Sequence, residues 1–586
     1  MFSAQFLEED GQAATVRTSA HPCPQIQAHL DSASAHGGIR AWNSKFDFGF
    51  AYRAGYKLPA EHLWHDGMLA AHVVDERFSA ALKARGEKLF GSEERADETA
   101  VKDWLAAERR ARRKVSKETG AEYQTPTYKD VPEEIMAPYG EQDVILQRKV
   151  SEVYEQALST NDDLRGVYEL ERDVMAALFW MEIRGVPVDR EAAAQFETKL
   201  LVGMDEQEAE LKRLAGIDTF NPNAPAQVAE ALQRRGVDLS NVPTTKTGTK
   251  QMNAEVLQGL TDPLATAVLA WKANAKMAAT YLGPMLHGKD DKVWGRQAPF
   301  IAADERIHPN IRQLGAITGR MSASDPNMQN WHRDDLRMRY LVRAEPGKKL
   351  VCCDLDAIEM KLFAAFAGNG VLLDQVRRPD GDPHSFTAQM VGITDRTRAD
   401  GNITSARQLA KVFNFQMIYG GGVNTVSTYF GVSKSRAKEM IGRYHQTYPE
   451  IGAFQNRIRA KLEDQGYVTT PWGRRHRALA YKPIHEQAYK FPNKLIQGTA
   501  ADLLKDAIAK IHADGVEMIL PVHDEIIAHV DEKDAEEVAR LIQHHMTNHE
   551  RISKIVPLGA EAQIVDRWSD AKRPGYVPDY IARKEG

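Results

Sequence analysis

Cysteine is nearly absent from this chain. Three occur in 586 residues, Cys23, Cys352 and Cys353, and two of them are neighbours. That excludes a disulfide framework and leaves no zinc-ligand spacing. No apolar run reaches the length of a membrane span, and no signal-peptide pattern is found, so no membrane partner is expected and a reducing, cytoplasmic setting is. Net positive charge is lacking too. The formal charge is −5, so composition alone does not mark a nucleic-acid binder, and any such surface must concentrate its cations locally. No internal repeat is present.

What is present is enough apolar material, 43% of 586 residues, for several ordinary domains. The most informative stretch is Leu520-Pro-Val-His523-Asp524-Glu525-Ile-Ile, an apolar strand, an acidic turn and a second apolar strand. Upstream, Leu350-Val-Cys-Cys-Asp354 ends another apolar strand on a carboxylate. Taken singly, each acid reads equally as an ordinary turn residue. If the strands are neighbours, Asp354 and Asp524 face a gap suited to two Mg²⁺ ions ~4 Å apart, the arrangement for in-line phosphoryl transfer. Between them lies a predicted helix, Ala406 to Tyr419, stopped by Gly420-Gly421-Gly422. Arg407, Lys411, Phe415 and Tyr419 recur every four residues and share one face. Cations followed by rings suit a nucleoside triphosphate, with phosphates on the first half and a base on the second. A solvated basic helix edge is the plain alternative.

Taken together, these residues resemble a DNA polymerase of family A, the DNA polymerase I type, and most of all its compact bacteriophage members. Asp354-Leu-Asp-Ala-Ile-Glu359-Met-Lys is similar to the family's first catalytic motif, Asp-Tyr-Ser-Gln-Ile-Glu-Leu-Arg. Arg407 to Tyr419 resembles its nucleotide-binding finger helix, and His523-Asp524-Glu525 its last catalytic motif. Thr318-Gly319-Arg320 through Asn327, Gln329 and Asn330, and Gln497 through Asp502, resemble template-primer contact motifs. The five occur in family order. Leu355, Asp356 and Ala357 depart from the first motif, and Tyr489 stands where an Arg is common, one turn before Asn493.

The resemblance implies a multidomain chain of α/β and α+β type. Its polymerase is shaped like a right hand, with an antiparallel palm sheet and helical fingers and thumb, preceded by an RNase H-like exonuclease-type domain. The expected divisions are 1–160 exonuclease-like, 161–300 thumb, 301–380 first palm part, 381–489 fingers and 490–586 second palm part. The implied reaction adds deoxynucleotides to a primer 3′ end on a DNA template. Asp354 and Asp524 are the implied metal ligands, with Glu525 behind them. Arg407, Lys411 and His384 would clamp the phosphates, and Lys411 would protonate the leaving pyrophosphate. Phe415 and Tyr419 would meet the sugar and base, Phe415 in place of a Tyr implying poor use of dideoxynucleotides. Glu359 would select deoxyribose. Arg320, Asn327, Gln329, Asn330, Asn493, Gln497 and His523 would grip the primer-template through minor-groove acceptors shared by all base pairs. Gly473-Arg474-Arg475-His-Arg477 is expected either to hold the template backbone or to be a solvated loop.

Within 1–160, Asn43-Ser-Lys-Phe-Asp47, Asp66 and Tyr139-Gly-Glu-Gln-Asp143 resemble parts of a 3′–5′ proofreading exonuclease. The family's Asp-x-Glu on a first strand is not found. Glu8, Glu9 and Asp10 read instead as a hairpin turn, and the domain looks as if it starts one strand late. Proofreading is therefore expected to be absent and Asp47, Tyr139 and Asp143 to be a remnant, unless another chain supplies the missing motif. The run Glu108 to Lys117 reads as a solvated helix face, and Lys246 as a phosphate contact or a loop lysine. No thioredoxin-recruiting insertion is recognised in the thumb, and a monomer working on primer-template DNA and dNTPs is expected, in the host cytoplasm if the source is viral. Two other classes compete. A single-subunit RNA polymerase would lack Glu359 and the His-Asp-Glu motif. A non-catalytic DNA-binding homologue would be expected to lose Asp354, Asp524 or Lys411.

Overall fold

The apolar runs at 350 and 520 become neighbouring strands of one sheet. The computed structural model describes residues 2–7, 13–18, 22–240, 242–245, 247–291, 295–331, 335–397 and 403–581. Glu8, Glu9, Asp10 and Lys246 lie outside the described residues. Strands β1 (Lys348–Leu355), β2 (Met518–Val522), β3 (Glu525–Asp531) and β4 (Ala560–Val565) form an antiparallel sheet in the order β2-β3-β1-β4. Side chains alternate across a strand, and here both faces are dry. Val351, Cys353 and Leu355 of β1 enter a core shared with the helices between residues 358 and 546. Leu350 and Cys352 enter a second core with Phe196, Trp331 and Trp568. All three cysteines are buried and none forms a disulfide.

Four helices position the rest. Helix α1 (Asp162–Arg184) is capped by Asn161, whose side chain accepts from Leu164 N–H at 3.0 Å, and ends where Gly185 takes a φ of 69°. Helix α2 (Arg190–Ala215) follows after a short extended link. Helix α3 (Ala406–Ile418) starts at a Ser405 cap and stops at Gly420, φ 74°. Helix α4 (Phe491–Ala513) is buried along most of its length. Helix α1 is a shared spine. Val174, Ala177, Leu178 and Met181 belong to the palm-side core, while Leu164, Val167, Tyr168, Met175, Ala176 and Phe179 pack with Phe48, Trp64 and Leu69 of the first 160 residues.

That N-terminal unit contains an antiparallel hairpin, Phe2–Leu7 with Ala13–Thr18, flanking the turn expected at 8–10, and a parallel pair, Ile39–Ala41 with Trp64–Asp66. The charge run at 108–117 lies on a helix, Ala96–Thr119, with Glu108 pairing Arg112 one turn on. Lys45 ties the unit to the hand through Glu182 and the Ile311 carbonyl (2.6 Å). Arg477 does so through Glu76 at 2.6 Å.

At the junction of α1 and α4 four charges are sealed from water. Glu171 pairs with Lys505 (2.6 Å) and Arg474, and Arg474 also pairs with Asp502 (2.6 Å). This corrects the expectation for the 473–477 loop, since Arg474 is buried in an ion network and Arg477 is held by Glu76, so neither is a template contact. Burial alone would raise the Glu171 pKa, but Lys505 and Arg474 pull it down from 4.5 to about 2. Its contribution to stability is thus full above pH 4.5 and fades as pH falls toward about 2. Glu171→Leu leaves an uncompensated buried cation and should destabilise by about 3–5 kcal/mol at pH 7 in urea titrations. Glu171→Leu with Lys505→Leu should recover part of that loss. A single variant as stable as the parent would show that the network adds nothing.

Candidate functional site

The turn between β2 and β3 is two residues long. Val522 pairs with Glu525, and His523 adopts a positive φ of 58° to close the loop. Leu355 N–H then donates to the Asp524 carbonyl at 3.1 Å, fixing the turn against the end of β1. Asp354 lies directly across from Glu525 in the ladder. Asp354 and Asp524 accordingly line one cavity of about 260 Å³, with Gln329, Asn330, His523 and Lys572 on its walls. The Lys572 ammonium is 2.7 Å from Asp354 Oδ2.

Glu525 also borders this cavity, but its carboxylate is held on the inner side. Trp568 Nε1–H donates to its Oε1 (3.1 Å), Arg339 donates to its Oε2 (3.3 Å), and the Arg339 guanidinium lies 4.1 Å over the Trp568 ring. Burial raises the Glu525 pKa, with Arg339 and Lys572 opposing it. The two adjacent acids are held differently: Asp524 is half-buried at the cavity, and Glu525 is buried at its wall and tied to Trp568 and Arg339. Among the described residues no group of three or more His, Cys, Asp and Glu side chains forms a ready metal cage. The palm offers two oxygen-donor carboxylates and open space.

On α3, Arg407 and Lys411 are exposed, and Phe415 stacks on Tyr419 with centroids 6.0 Å apart. Arg407 reaches Asp382 (2.6 Å), the cap of the helix carrying His384. The Tyr419 hydroxyl donates to Glu359 (2.6 Å), which also pairs with Arg320, and Gln497 hydrogen-bonds the same tyrosine. Gln329 donates to the Pro521 carbonyl at 3.1 Å, bracing β2 from the cavity wall. Asn327 and Asn493 each carry a buried side-chain oxygen with no protein partner. The structure thus brings Arg320, Glu359, Tyr419 and Gln497 together, and Gln329, Asn330, His523, Asp354 and Asp524 together, with Arg320, Gln329, His523 and Asp524 lining a smaller pocket that joins the two groups. Burial lowers the pKa of His523, helped by Arg320.

The N-terminal candidates do not assemble in the same way. Asp143 forms an ion pair with Lys83 at 2.7 Å, and that ammonium also sits 5.4 Å over the Tyr139 ring. Asp66 caps the helix Gly67–Val74, accepting from Met68 (2.8 Å) and Leu69 (3.2 Å), and also accepts from Ser44 N–H at 2.8 Å. Asp47 is on the exposed side of the helix Ser44–Arg53, yet burial of its carboxyl and the neighbouring Asp66 push its pKa up to about 7.

Sequence reasoning missed Lys572, Arg339 and Trp568, which approach the palm acids from distant segments with no local signal. It also missed Asn414, although that residue lies inside the helix singled out. Asn414 is fully buried; its amide donates to His384 Nδ1 (3.0 Å), and its oxygen accepts from Thr387 Oγ1 (3.1 Å). An acceptor at Nδ1 leaves the imidazole proton on Nε2. Burial, with Arg407 next, lowers the His384 pKa to about 4. NMR of the His384 ring should show the neutral Nε2–H tautomer at pH 7, with protonation only near pH 4. In Asn414→Leu the single tautomer should be lost. An Nδ1–H ring in the parent would reverse the assignment.

Comparison with known proteins agrees with this architecture. The family model described as DNA polymerase family A matches residues 190–570. A DNA polymerase I of Rhizobium leguminosarum is 31% identical over 432 residues, covering 70% of this chain and 41% of its own length. The thermostable DNA polymerase I of Thermus aquaticus is 32% identical over 422 residues, covering 69% and 48%. The DNA polymerase I of Chloroflexus aurantiacus is 28% identical over 550 residues, covering 90% and 54%. The chain spans about half the length of the curated relatives it matches. A solved POL domain of Pol1 from M. smegmatis, in complex with DNA primer-template and dNTP, superposes with a TM-score of 0.74 over 96% of this chain and 92% of that one, at 22% identity, a likeness of fold. With its family match running through both palm acids and the finger helix, the chain belongs to DNA polymerase family A.

Proposed function

We propose that this protein is a template-directed DNA polymerase that extends a primer 3′ end with deoxynucleotides. The observation that carries the reading is the meeting of Asp354 and Asp524 at one cavity, enforced by the Leu355–Asp524 backbone bond. Two hard oxygen donors beside open space suit Mg²⁺, which keeps several waters and takes its remaining ligands from substrate phosphates. A cation already sits at this point in the form of the Lys572 ammonium, so the pocket accepts positive charge. Two Mg²⁺ ions held by Asp354 and Asp524 would supply charge neutralisation at the transferring phosphate and make the primer hydroxyl more acidic.

The remaining groups have roles consistent with their chemistry. Arg407 and Lys411 present exposed cations to the triphosphate, and His384 offers Nε2–H to it. Lys411 holds a proton that the departing pyrophosphate can take. Phe415 and Tyr419 provide the surface for the sugar and base, and Glu359, fixed by Arg320 and Tyr419, fills the space beside the sugar 2′-carbon. Arg320, Asn327, Gln329, Asn330, Asn493, Gln497 and His523 form the primer-template grip. Residues 161–300 act as the thumb, 301–380 with 490–586 as the palm and 381–489 as the fingers. The work is that of a compact monomeric phage replication enzyme.

Asp354→Ala and Asp524→Ala should each reduce primer extension at least roughly a thousandfold, because each removes an oxygen ligand and the remaining carboxylate of the cavity, Glu525, is held by Trp568 and Arg339. Primer-template binding, measured by gel shift, should be largely kept. Near-normal extension by either variant sinks the site.

We also propose that the first 160 residues carry an inactive exonuclease-like unit. Lys83 neutralises Asp143 where a metal would be needed, and the four backbone amides donating to Asp66 commit that carboxylate to capping. A labelled single strand should therefore survive incubation with the parent as long as with an Asp47→Ala, Asp143→Ala double variant. Degradation from the 3′ end by the parent alone would overturn this.

A further inference from the structure

Beyond the span matched by the family model, the chain continues as a strap from the catalytic hairpin to helix α2. Its root is Trp568, fully buried and held by Glu525 and Arg339. Four residues later Lys572 reaches Asp354 Oδ2 at 2.7 Å. Past Lys572 the strap lies on the base of the thumb-side core. Tyr580 stacks on Phe196 of α2, centroids 4.2 Å apart and planes within 11°. The Tyr580 hydroxyl donates to the Arg337 carbonyl (2.9 Å), and Lys199 of α2 donates to the Asp579 carbonyl (2.6 Å). The strap is thus docked at one end on α2 and at the other on the carboxylate expected to take a metal.

The ion pair is neither solvent-washed nor sealed: the Lys572 and Asp354 side chains are 20% and 21% exposed. At such a site the attraction between ammonium and carboxylate is less screened than at an open surface. A divalent ion ligated by the same carboxylate would sit within a few ångströms of the ammonium, and like charges at that distance repel. Lysine carries a point charge on a flexible stem, so it can withdraw through rotamer changes without unfolding its support.

We propose that Lys572 is the resident counter-cation of Asp354, displaced when a divalent metal binds, so that the 572–581 strap transmits occupancy of the catalytic site to helix α2. This rests on the reading of Asp354 as a metal ligand. It makes Lys572 a positioning residue: it holds the carboxylate in one orientation in the metal-free enzyme and sets a threshold for metal entry.

The test uses the full chain and Mn²⁺ alone, without DNA or nucleotide. Mn²⁺ binding, followed by electron paramagnetic resonance of the free ion, should tighten about three- to tenfold in Lys572→Met, the range expected for removing a partly screened competing ion pair. Lys572→Arg should stay near the parent, which separates charge from packing. In hydrogen–deuterium exchange, Mn²⁺ should raise exchange in 572–581 of the parent. Thermal melts of each variant check folding. Unchanged or weaker Mn²⁺ binding in Lys572→Met, or a strap indifferent to Mn²⁺, overturns the proposal. Asp354→Asn distinguishes its failure from that of the underlying reading. If Asp354→Asn abolishes Mn²⁺ binding while Lys572→Met leaves it unchanged, only the displacement is wrong. If Asp354→Asn binds Mn²⁺ like the parent, the metal site itself is misplaced and both fail.

Discussion

Two anions and two cations packed without water between α1 and α4 constrain more of this molecule than any other contact. Glu171, Lys505, Arg474 and Asp502 are each tolerable in the interior only because the other three are there. The set draws on three separate parts of the chain, so it fixes their relative register. Sliding α4 by a turn would leave charges stranded at several kcal/mol apiece. The register of α4 in turn places Asn493 and Gln497 on the side of the finger helix, where Gln497 meets Tyr419. A dry polar junction, with Lys505 at the back of the pocket that holds Arg320, His523 and Asp524, thereby determines where the candidate grip residues stand.

The sheet edge that carries the candidate site follows the opposite logic. The sheet is apolar on both faces through its middle, which makes it stiff, and its polar groups are confined to the end where β1 meets the β2–β3 turn. Rigid backing and a short turn let one carboxylate face solvent while its sequence neighbour is locked by Trp568 and Arg339. A looser loop would let the two exchange places. Preorganisation here comes from the backbone bond between Leu355 and Asp524 and from the indole beneath it.

What could be read in advance was local. Leu350 to Cys353 and Ile519 to Val522 are apolar runs that end at or next to the candidate acids, and the four-residue rhythm of Arg407, Lys411, Phe415 and Tyr419 survives along α3 and its C-terminal cap. Contacts between distant segments could not be read. Arg474 in a Gly-Arg-Arg sequence has the composition of a surface loop, and only the fold reveals Glu171 beside it, some three hundred residues earlier in the chain. The Lys83–Asp143 pair is hidden for the same reason, and so is Lys572, whose partner is set by how the segment after β4 folds back. Asn414 differs: it lay in view, but an amide inside a helix carries no sign of which ring it will meet.

The division of α1 between two cores has a consequence for how such a chain can change over time. Phe179 contacts Trp64 and Tyr52, and with Leu164, Val167 and Met175 it forms an apolar strip roofed by the first 160 residues. Deleting that roof would expose the strip on an otherwise folded hand and create a sticky surface prone to aggregation. The N-terminal unit therefore serves the fold as a cover, whatever chemistry it performs. Trp64 and Phe48 are held to that underside by packing, and Asp66 by its four backbone amides, so these positions serve the cover itself.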